Sequence, residues 1–583
     1  MKPEFFSVLG ALATLSGQTI VAPEAGLAGP SFPAPSVLRG SKALTSAITD
    51  FDGLVADSPI VQANETAWAV AVFSTHDDEP LYERYFTPEY DVGVPEVDRS
   101  SVFRIASVSK VFSVWTFLAE VGDERFNDPI TKYVPELVSA QNNCASSKTV
   151  YDDIDHVRWH EVTLGQLASH LAGIPRDPAQ GDMSAELAPE QAMALGFPTL
   201  PDSDIPTCGV TGLLRACTRK EMISLLLKQH PIFSTGHAPA YSNVAYALLG
   251  FAQEAITGTP VSNAITTNIL AALNMTSSSF ETAPASGGVI PGDASAVGWD
   301  WDLGTINPAG SMYCSTGDMV KAGQAILGSK TTTPAQTRRW LKPMSQTGVL
   351  GSAVGAPWEI RHLNVGGRLS QLYTKQGDTG GYRAAFVLSP EHDLGAVIFS
   401  AGPLASNSAA VRETLMNAVG KVFLPMAEEQ ARIEARENFA GVYTDEATNS
   451  SLTIHVDEIT TGLQVSGFTS RGVEIIGPQS PFIPIYGAGQ SARLFPSTLR
   501  TVRTTEDGTG TYTSRLGFRA SFFNVTGGAS DVQDPGLMQW TSLGAPAYGE
   551  RTLDDWVVEM GEDGRARAVD VRMMRLKLGR EGA

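Results

Sequence analysis

Phe103-Arg-Ile-Ala-Ser-Val-Ser-Lys-Val-Phe-Ser113 is the most informative stretch of this 583-residue chain. It places Ser107 three residues before Lys110, at the start of a run that stays apolar on every side as far as Gly122. Such a run predicts a buried helix. Residues i and i+3 share one face of a helix, so the Lys110 amine is expected to reach the Ser107 hydroxyl.

Two later blocks extend this pair, namely Tyr241-Ser-Asn243 and Lys375-Gln-Gly377. No other lysine has a serine three positions before it, and no other tyrosine has an asparagine two positions after it. A serine hydroxyl is a weak nucleophile until a base takes its proton. A buried lysine beside a second ammonium has a lowered pKa, and a tyrosine between two lysines is pushed towards phenolate. Either Lys110 or Tyr241 can therefore be the base.

The neighbouring segments resemble the serine β-lactamase and penicillin-binding protein superfamily, especially its class C and esterase branch. The similarity spans about residues 45–420. Besides the stretch 103–113, it is carried by Asp128-Pro-Ile-Thr-Lys-Tyr-Val-Pro135, Val162-Thr-Leu-Gly-Gln-Leu-Ala-Ser-His-Leu-Ala-Gly-Ile-Pro175, Pro308-Ala-Gly-Ser-Met-Tyr-Cys-Ser-Thr-Gly-Asp318 and Lys375-Gln-Gly-Asp-Thr-Gly-Gly-Tyr382. The resemblance implies an α/β domain of the β-lactamase/transpeptidase type, with an antiparallel sheet flanked by helices and an all-helical subdomain.

The resemblance also assigns roles to the residues of the three blocks. Ser107 is the expected nucleophile, and Lys110 and Tyr241 share the acid–base work. Asn243 is expected to bind the acyl side chain or Lys110. Lys375 is expected to keep Tyr241 charged and to orient the substrate.

The third block also bears on oxyanion binding and on substrate class. The resemblance places the oxyanion hole at the backbone N–H groups of Ser107 and of Asp378, the residue after Gly377. Gln376 stands where β-lactamases prefer threonine or serine, whose hydroxyl usually helps to hold a substrate carboxylate. The sequence therefore favours esters, thioesters or amides of other small molecules over β-lactams.

These observations predict a serine hydrolase that forms an acyl-enzyme at Ser107 and needs no cofactor. One alternative is an acyltransferase or thioesterase of a natural-product pathway, in which an alcohol or thiol accepts the acyl group. Another is a non-catalytic, secreted binding protein on the same scaffold. A cluster with partial metal-ligand spacing lacks a fixed third partner and favours a solvated polar loop without metal; its members are Asp152, Asp153, Asp155, His156 and His160.

Composition shifts divide the chain into segments. Residues 1–22 have the apolar run of a secretory signal peptide. Residues 41–424 form the expected catalytic domain, in which the Pro-, Gly- and Asp-rich segment 176–216 is an insertion or lid. Residues 425–438 read as a charged helical linker. Residues 439–583 alternate strand-like runs with turns, which predicts a smaller all-β, lipocalin-like barrel domain.

Charge and residue usage indicate the compartment and the partners. The net charge of −20 and the pI of about 4.9 disfavour nucleic acid and anionic membranes, and no later stretch has the length of a membrane span. We expect a secreted protein that acts on a small acyl substrate.

The cysteines and the N-glycosylation sequons are also consistent with a secreted protein in an oxidising compartment. Cys208 and Cys217 are the expected local disulfide, after which Cys144 and Cys314 would pair across a long loop; four free thiols are the alternative. Candidate glycosylation sites are Asn64, Asn274, Asn449 and Asn524.

Overall fold

The structure is a computed structural model, and it describes residues 29–138, 152–177, 179, 181–209, 212–365, 368–458, 461–477, 480, 492–503, 513–522, 540 and 543–582. Contacts divide the chain into two units. The first comprises Ala34–Leu363 and Leu369–Ala431, and the second is mainly Arg432–Ala583. The predicted signal peptide lies outside the described residues, and the domain boundaries drawn from the sequence stay a prediction.

Five of the described helices begin at a serine or threonine cap and bury an apolar face. Within the described residues they are α1 (Lys42–Ala56), α2 (Ser109–Glu120), α3 (Leu164–Ala168), α4 (Met183–Glu186), α5 (Pro189–Ala194), α6 (Arg219–Leu226), α7 (Val244–Thr257), α8 (Val261–Ile265), α9 (Asn307–Gly310), α10 (Thr316–Leu327), α11 (Pro334–Trp340) and α12 (Ser408–Phe439). Helices α2, α3, α7 and α8 pack together as a helical cluster.

The first unit contains two sheets. Its described strands are β1 (Ala67–Ser74), β2 (Tyr82–Phe86), β3 (Val102–Arg104), β4 (Ser279–Phe280), β5 (Met312–Ser315), β6 (Ser345–Gln346), β7 (Ser352–Val354), β8 (Glu359–Val365), β9 (Arg368–Thr379), β10 (Tyr382–Ser389) and β11 (Leu394–Ala401). The larger sheet has the order β2-β1-β11-β10-β9-β8-β7-β6, and the smaller has the order β3-β5-β4.

The centre of the larger sheet is buried on both faces. Every residue of β1 and β11 is buried, and these strands pair antiparallel along their whole length. Helix α10 packs against both strands. Gly323 of α10 and Gly395 of β11 both lie against the Phe73 ring, where an added Cβ would come within 2.1 Å of a ring carbon. This close helix–sheet packing keeps β9 and β10 in a rigid frame.

The second unit is an all-β barrel. Its described strands are β12 (Gly441–Asp445), β13 (Ser450–His455), β14 (Leu463–Ser470), β15 (Val473–Glu474), β16 (Ala492–Arg503), β17 (Thr513–Ser521), β18 (Ala547–Tyr548), β19 (Arg551–Thr552), β20 (Asp555–Met560), β21 (Ala566–Val571) and β22 (Leu576–Arg580). Eight of these described strands close into a ring in the order β13-β12-β22-β21-β20-β17-β16-β14, because β14 also pairs with β13.

The predicted fold class is confirmed in both parts, with two local corrections. The run 568–576, which reads from the sequence alone as one strand, contributes to two strands, β21 and β22, because the backbone reverses at the short 3-10 turn Arg572–Met574. The segments 406–421 and 427–437, which read from the sequence alone as separate helices, belong to one helix, α12, which continues through Pro425. Within the described residues, none of the helices combines the length and apolar character needed to cross a membrane.

Candidate active site

Ser107 lies in the short 3-10 turn Ala106–Val108 that joins β3 to α2. Ala106 has a φ of +46°, a left-handed conformation that costs an alanine about 1 kcal/mol. The Ser109 hydroxyl holds the turn in place, because it donates to the Ala106 carbonyl at 2.6 Å and accepts the Met312 N–H at 3.0 Å. The serine is thus fixed at a sharp corner between strand and helix.

The Lys110 amine lies within hydrogen-bond distance of three oxygens. Its Nζ is 3.0 Å from Ser107 Oγ, 2.7 Å from Asn243 Oδ1 and 2.7 Å from the Ala309 carbonyl oxygen. The side chain is completely buried. Burial lowers the pKa of Lys110 to about 8, and the Lys375 ammonium adds to this effect. A lysine in this state can exchange a proton near neutral pH.

A buried carboxylate fixes the orientation of the Asn243 amide. The Asn243 Nδ2 donates to Asp177 Oδ1 at 2.9 Å, so the amide oxygen faces Lys110. The Asn243 backbone N–H donates to the Arg176 carbonyl at 2.8 Å. Burial raises the pKa of Asp177. The sequence reasoning missed Asp177, which belongs to none of the three blocks.

The Tyr241 phenol oxygen is 2.7 Å from Ser107 Oγ, on a ring surrounded by cations. The Arg176 guanidinium is 4.9 Å, the Lys110 amine 5.0 Å and the Lys375 amine 5.2 Å from the ring centroid. Burial alone would raise the pKa of Tyr241, but the charges of Lys110 and Lys375 outweigh it and lower the pKa. The two lysines therefore shift the Tyr241 equilibrium towards the phenolate.

His170 stacks on the Tyr241 ring with 4.4 Å between centroids. Its Nδ1 accepts the Ser242 N–H at 3.1 Å. Burial, followed by the charges of Lys110 and the other nearby cations, holds the pKa of His170 well below its usual value. The imidazole is neutral and supports the tyrosine ring.

Lys375 reaches the site from β9 and is paired with a glutamate. Its Nζ donates to Glu359 Oε1 at 2.5 Å and to the Gln376 carbonyl oxygen at 2.8 Å. Burial alone would lower the pKa of Lys375, but the Glu359 carboxylate, with the help of Tyr241, raises it. Lys375 therefore stays charged beside Tyr241. Glu359 lies on the neighbouring strand β8 and was not predicted.

Gly377 of β9 lies against the nucleophile turn. An added Cβ would lie 2.2 Å from the Ile105 carbonyl oxygen and 2.9 Å from the Ser107 backbone nitrogen. The next residue, Asp378, directs its carboxylate to Arg412 on α12, at 2.7 Å. The Gln376 amide also lies on the α12 side, 4.0 Å from Met416 Sδ. Gln376 therefore does not point towards Ser107.

The structure brings the three sequence blocks together around one hydroxyl group. The other predicted features have mixed outcomes. The Cys208–Cys217 disulfide is confirmed. The Cys144–Cys314 pairing is wrong, because Cys314 is a free thiol buried in the central strand of the smaller sheet, and Cys144 lies outside the described residues.

Three of the four sequon asparagines are described, and all three are exposed. Asn64, Asn274 and Asn449 have left-handed backbones, with φ of +53°, +52° and +47°, as is common for asparagine in turns. Asn524 lies outside the described residues. Glycosylation at these positions stays a prediction.

Two other clusters do not compete with this site. A Ser389–His392–Glu428 chain has hydrogen-bonded contacts of 2.7 and 3.1 Å, but the three residues are only 2%, 1% and 5% exposed, so a substrate cannot reach the hydroxyl. In the loop around Asp153, the carboxylate pairs with Arg158. Among the described residues, no group of three or more acidic, histidine or cysteine side chains is arranged to hold a metal.

Comparison with known proteins places these observations in a family. A family model described as Beta-lactamase matches residues 60–421, and one described as Beta-lactamase-like-like, C-terminal domain, matches residues 431–582. The Beta-lactamase-like protein of Arthroderma benhamiae is 30% identical over 400 residues, covering 66% of this chain and 62% of that protein. The "Probable hydrolase M10" of Phoma sp. is 26% identical over 458 residues, which cover 74% of this chain and 72% of that protein. The "Probable hydrolase clz13" of Cochliobolus lunatus is 25% identical over 486 residues, which cover 77% of this chain and 74% of that protein.

Proposed function

The chain belongs to the beta-lactamase family, and from this premise we propose that it is a serine hydrolase that forms an acyl-enzyme at Ser107 and transfers the acyl group to water. The observation that carries the proposal is the convergence on Ser107 Oγ, with the Tyr241 oxygen at 2.7 Å and the Lys110 nitrogen at 3.0 Å. Two relatives named as probable hydrolases support the reaction class. The proposed substrates are small esters, thioesters or amides.

In the acylation step, the base takes the Ser107 hydroxyl proton while Oγ forms a bond to the substrate carbonyl carbon. The carbonyl electron pair moves to oxygen, and the resulting oxyanion accepts hydrogen bonds from the backbone N–H groups of Ser107 and Asp378. Collapse of this intermediate breaks the bond to the leaving group, which receives the proton. In deacylation, water loses a proton to the same base and attacks the acyl carbon, and Ser107 recovers its proton.

Two proton arrangements satisfy every contact around the base. In one, Lys110 is an ammonium that donates to all three oxygens, and the Ser107 hydroxyl donates to the Tyr241 phenolate. In the other, Lys110 is an amine that accepts the Ser107 proton and donates to Asn243 and Ala309, while the Tyr241 hydroxyl donates to Ser107. Both contain the same number of protons, so Lys110 and Tyr241 titrate as one coupled pair.

A covalent probe tests the proposal directly. A fluorophosphonate should label Ser107 in the folded protein, and peptide mapping should locate the adduct there. Wild type should hydrolyse p-nitrophenyl esters with a burst of p-nitrophenol equal to the active sites, and Ser107→Ala should abolish both burst and labelling. Absence of labelling and of turnover across esters, thioesters and a chromogenic cephalosporin would refute the proposal and favour the non-catalytic binding protein.

An acyl acceptor other than water is the second candidate. The observation that favours it is the apolar surface of the segment 176–216, where Met193, Leu195, Phe197 and Leu200 are each at least 40% exposed. Such a surface suits an apolar acyl chain or an apolar acceptor. Product analysis with water and competing alcohols or thiols distinguishes the two. Exclusive hydrolysis at every acceptor concentration rules out acyl transfer.

We also propose that the protein enters the secretory pathway. The Cys208–Cys217 disulfide supports this, because disulfides persist mainly in oxidising compartments. Expression in the source cells, with fractionation and glycosidase treatment of the secreted protein, tests it. Retention of the uncleaved chain in the cytosol would contradict it.

A further inference from the structure

Glu359 is a charged residue at this site that the proposed mechanism does not use. It begins strand β8, directly after the fully buried Trp358. Its backbone oxygen accepts the Thr374 hydroxyl at 2.5 Å, its Oε1 accepts from Lys375, and its Oε2 accepts the Gln376 N–H at 3.0 Å. Two contacts with β9 therefore hold the carboxylate, and the third holds the backbone of the same residue.

Exposure shows which member of the pair meets a ligand. The Lys375 side chain is 1% exposed, whereas the Glu359 side chain is 38% exposed. A molecule entering from solvent thus encounters the glutamate rather than the lysine. The glutamate also uses the Gln376 N–H, a second donor that an incoming carboxylate would need.

The cation beneath Glu359 lies close to the reacting atoms. Lys375 is 5.2 Å from the centroid of the Tyr241 ring, and the Tyr241 oxygen contacts Ser107 Oγ. A substrate carboxylate near the scissile bond would be placed where it could pair with Lys375. In this protein Lys375 is already paired with Glu359. A substrate carboxylate would therefore lie beside the Glu359 carboxylate and be repelled by it.

We propose that Glu359 is a specificity-determining residue: it occupies the cation that a substrate carboxylate would otherwise bind, and so restricts the site to substrates whose acyl chain carries no carboxylate within reach of Lys375. The inference deepens the proposed hydrolase function and rests on it. By this inference the Glu359 carboxylate on β8 determines the substrate specificity. Gln376 does not, because its side chain is directed towards α12.

A matched pair of esters tests the proposal. p-Nitrophenyl hexanoate and mono-p-nitrophenyl adipate have acyl chains of equal length, and the second ends in a carboxylate; spontaneous hydrolysis is subtracted. Wild type should prefer the hexanoate. Glu359→Gln keeps the size and one acceptor oxygen, and should raise the adipate/hexanoate ratio of kcat/KM roughly tenfold or more, mainly through KM for the adipate. A merely structural role would lower kcat/KM for both esters equally.

Two control variants sharpen the result. Glu359→Asp retains the negative charge and should keep the wild-type preference. Asp563→Asn makes the same change in net charge in the second unit, at an exposed residue paired with Arg567, and should leave the ratio unchanged. Thermal melts confirm that each variant is folded.

The outcomes separate this inference from the proposed function. Suppose that wild type hydrolyses the hexanoate and is labelled at Ser107, but folded Glu359→Gln has an adipate/hexanoate ratio of kcat/KM within about twofold of wild type. This result overturns only the role of Glu359. A wild-type preference for the adipate overturns it as well. Failure of wild type to turn over either ester or to react at Ser107 overturns the hydrolase proposal itself.

Discussion

Replacing Gly377 by alanine should inactivate the protein without unfolding it. The new Cβ would lie 2.2 Å from the Ile105 carbonyl oxygen, whereas ordinary carbon–oxygen contacts are about 1 Å longer. It would also lie 2.9 Å from the Ser107 nitrogen, whose N–H is proposed to bind the oxyanion. Both contacted atoms belong to the backbone, so no flexible side chain can move aside. Strand β9 must shift away from the nucleophile turn by roughly 1 Å, which is enough to lower kcat/KM about a hundredfold.

The assay is steady-state hydrolysis of p-nitrophenyl acetate together with a thermal melt. The loss should fall mainly on kcat, because the oxyanion contact strengthens in the transition state. The matched control is Gly420→Ala on α12, where the nearest atom to the new Cβ is Leu363 Cδ1 at 3.7 Å. It should retain full activity and gain about 0.5–1 kcal/mol of stability. A folded Gly377→Ala protein with kcat/KM within about threefold of wild type would refute the reasoning.

Three further predictions follow from the same contacts. Lys375→Met should move the ascending limb of the kcat/KM–pH profile to higher pH, because the Lys375 ammonium lowers the pKa of both Tyr241 and Lys110; an unmoved limb would count against this electrostatic role. Tyr241→Phe should lower kcat by about 10²–10⁴-fold with an unchanged circular dichroism spectrum, and a loss below about tenfold would exclude Tyr241 from proton transfer. Cys208→Ser opens a disulfide between residues nine positions apart and should lower the free energy of unfolding in urea by roughly 2–3 kcal/mol, whereas an unchanged midpoint would contradict a stabilising role.

The main features of the site could be predicted because its chemistry is concentrated in short blocks. Ser107 and Lys110 are neighbours on one helical turn, so their contact follows from helix geometry alone. The chemistry of the blocks and the resemblance both link Tyr241 and Lys375 to this pair, but no local rule brings residues so far apart in the chain together. The sheet pairings of β9, β10 and β11 and the buried helices α2 and α7 provide that connection.

The missed residues share a physical cause. Glu359 and Asp177 act by pairing with a charged or amide group that is distant in sequence, and nothing in their own neighbourhoods gives them a motif. Glu359 follows Trp358 at the start of a strand that also contains Arg361 and His362, so its charge does not stand out in the sequence.

The remaining errors come from local rules that tertiary packing overrides. The sequence reads as separate helices at 406–421 and 427–437, yet α12 continues through Pro425 between them. The pairing of Cys144 with Cys314 followed from an even cysteine count, whereas the structure gives Cys314 the ordinary place of a buried apolar residue in β5.

The confinement of Ser107 has a stereochemical consequence. Tyr241 and Lys110 stand within 3.0 Å of its oxygen, while the backbone of Gly377 closes in on the nucleophile turn. A planar carbonyl can therefore present only one of its two faces to the attacking atom. Racemic esters with a chiral centre next to the acyl carbon should consequently be resolved rather than consumed evenly, and chiral chromatography of the unreacted ester would reveal the preferred hand.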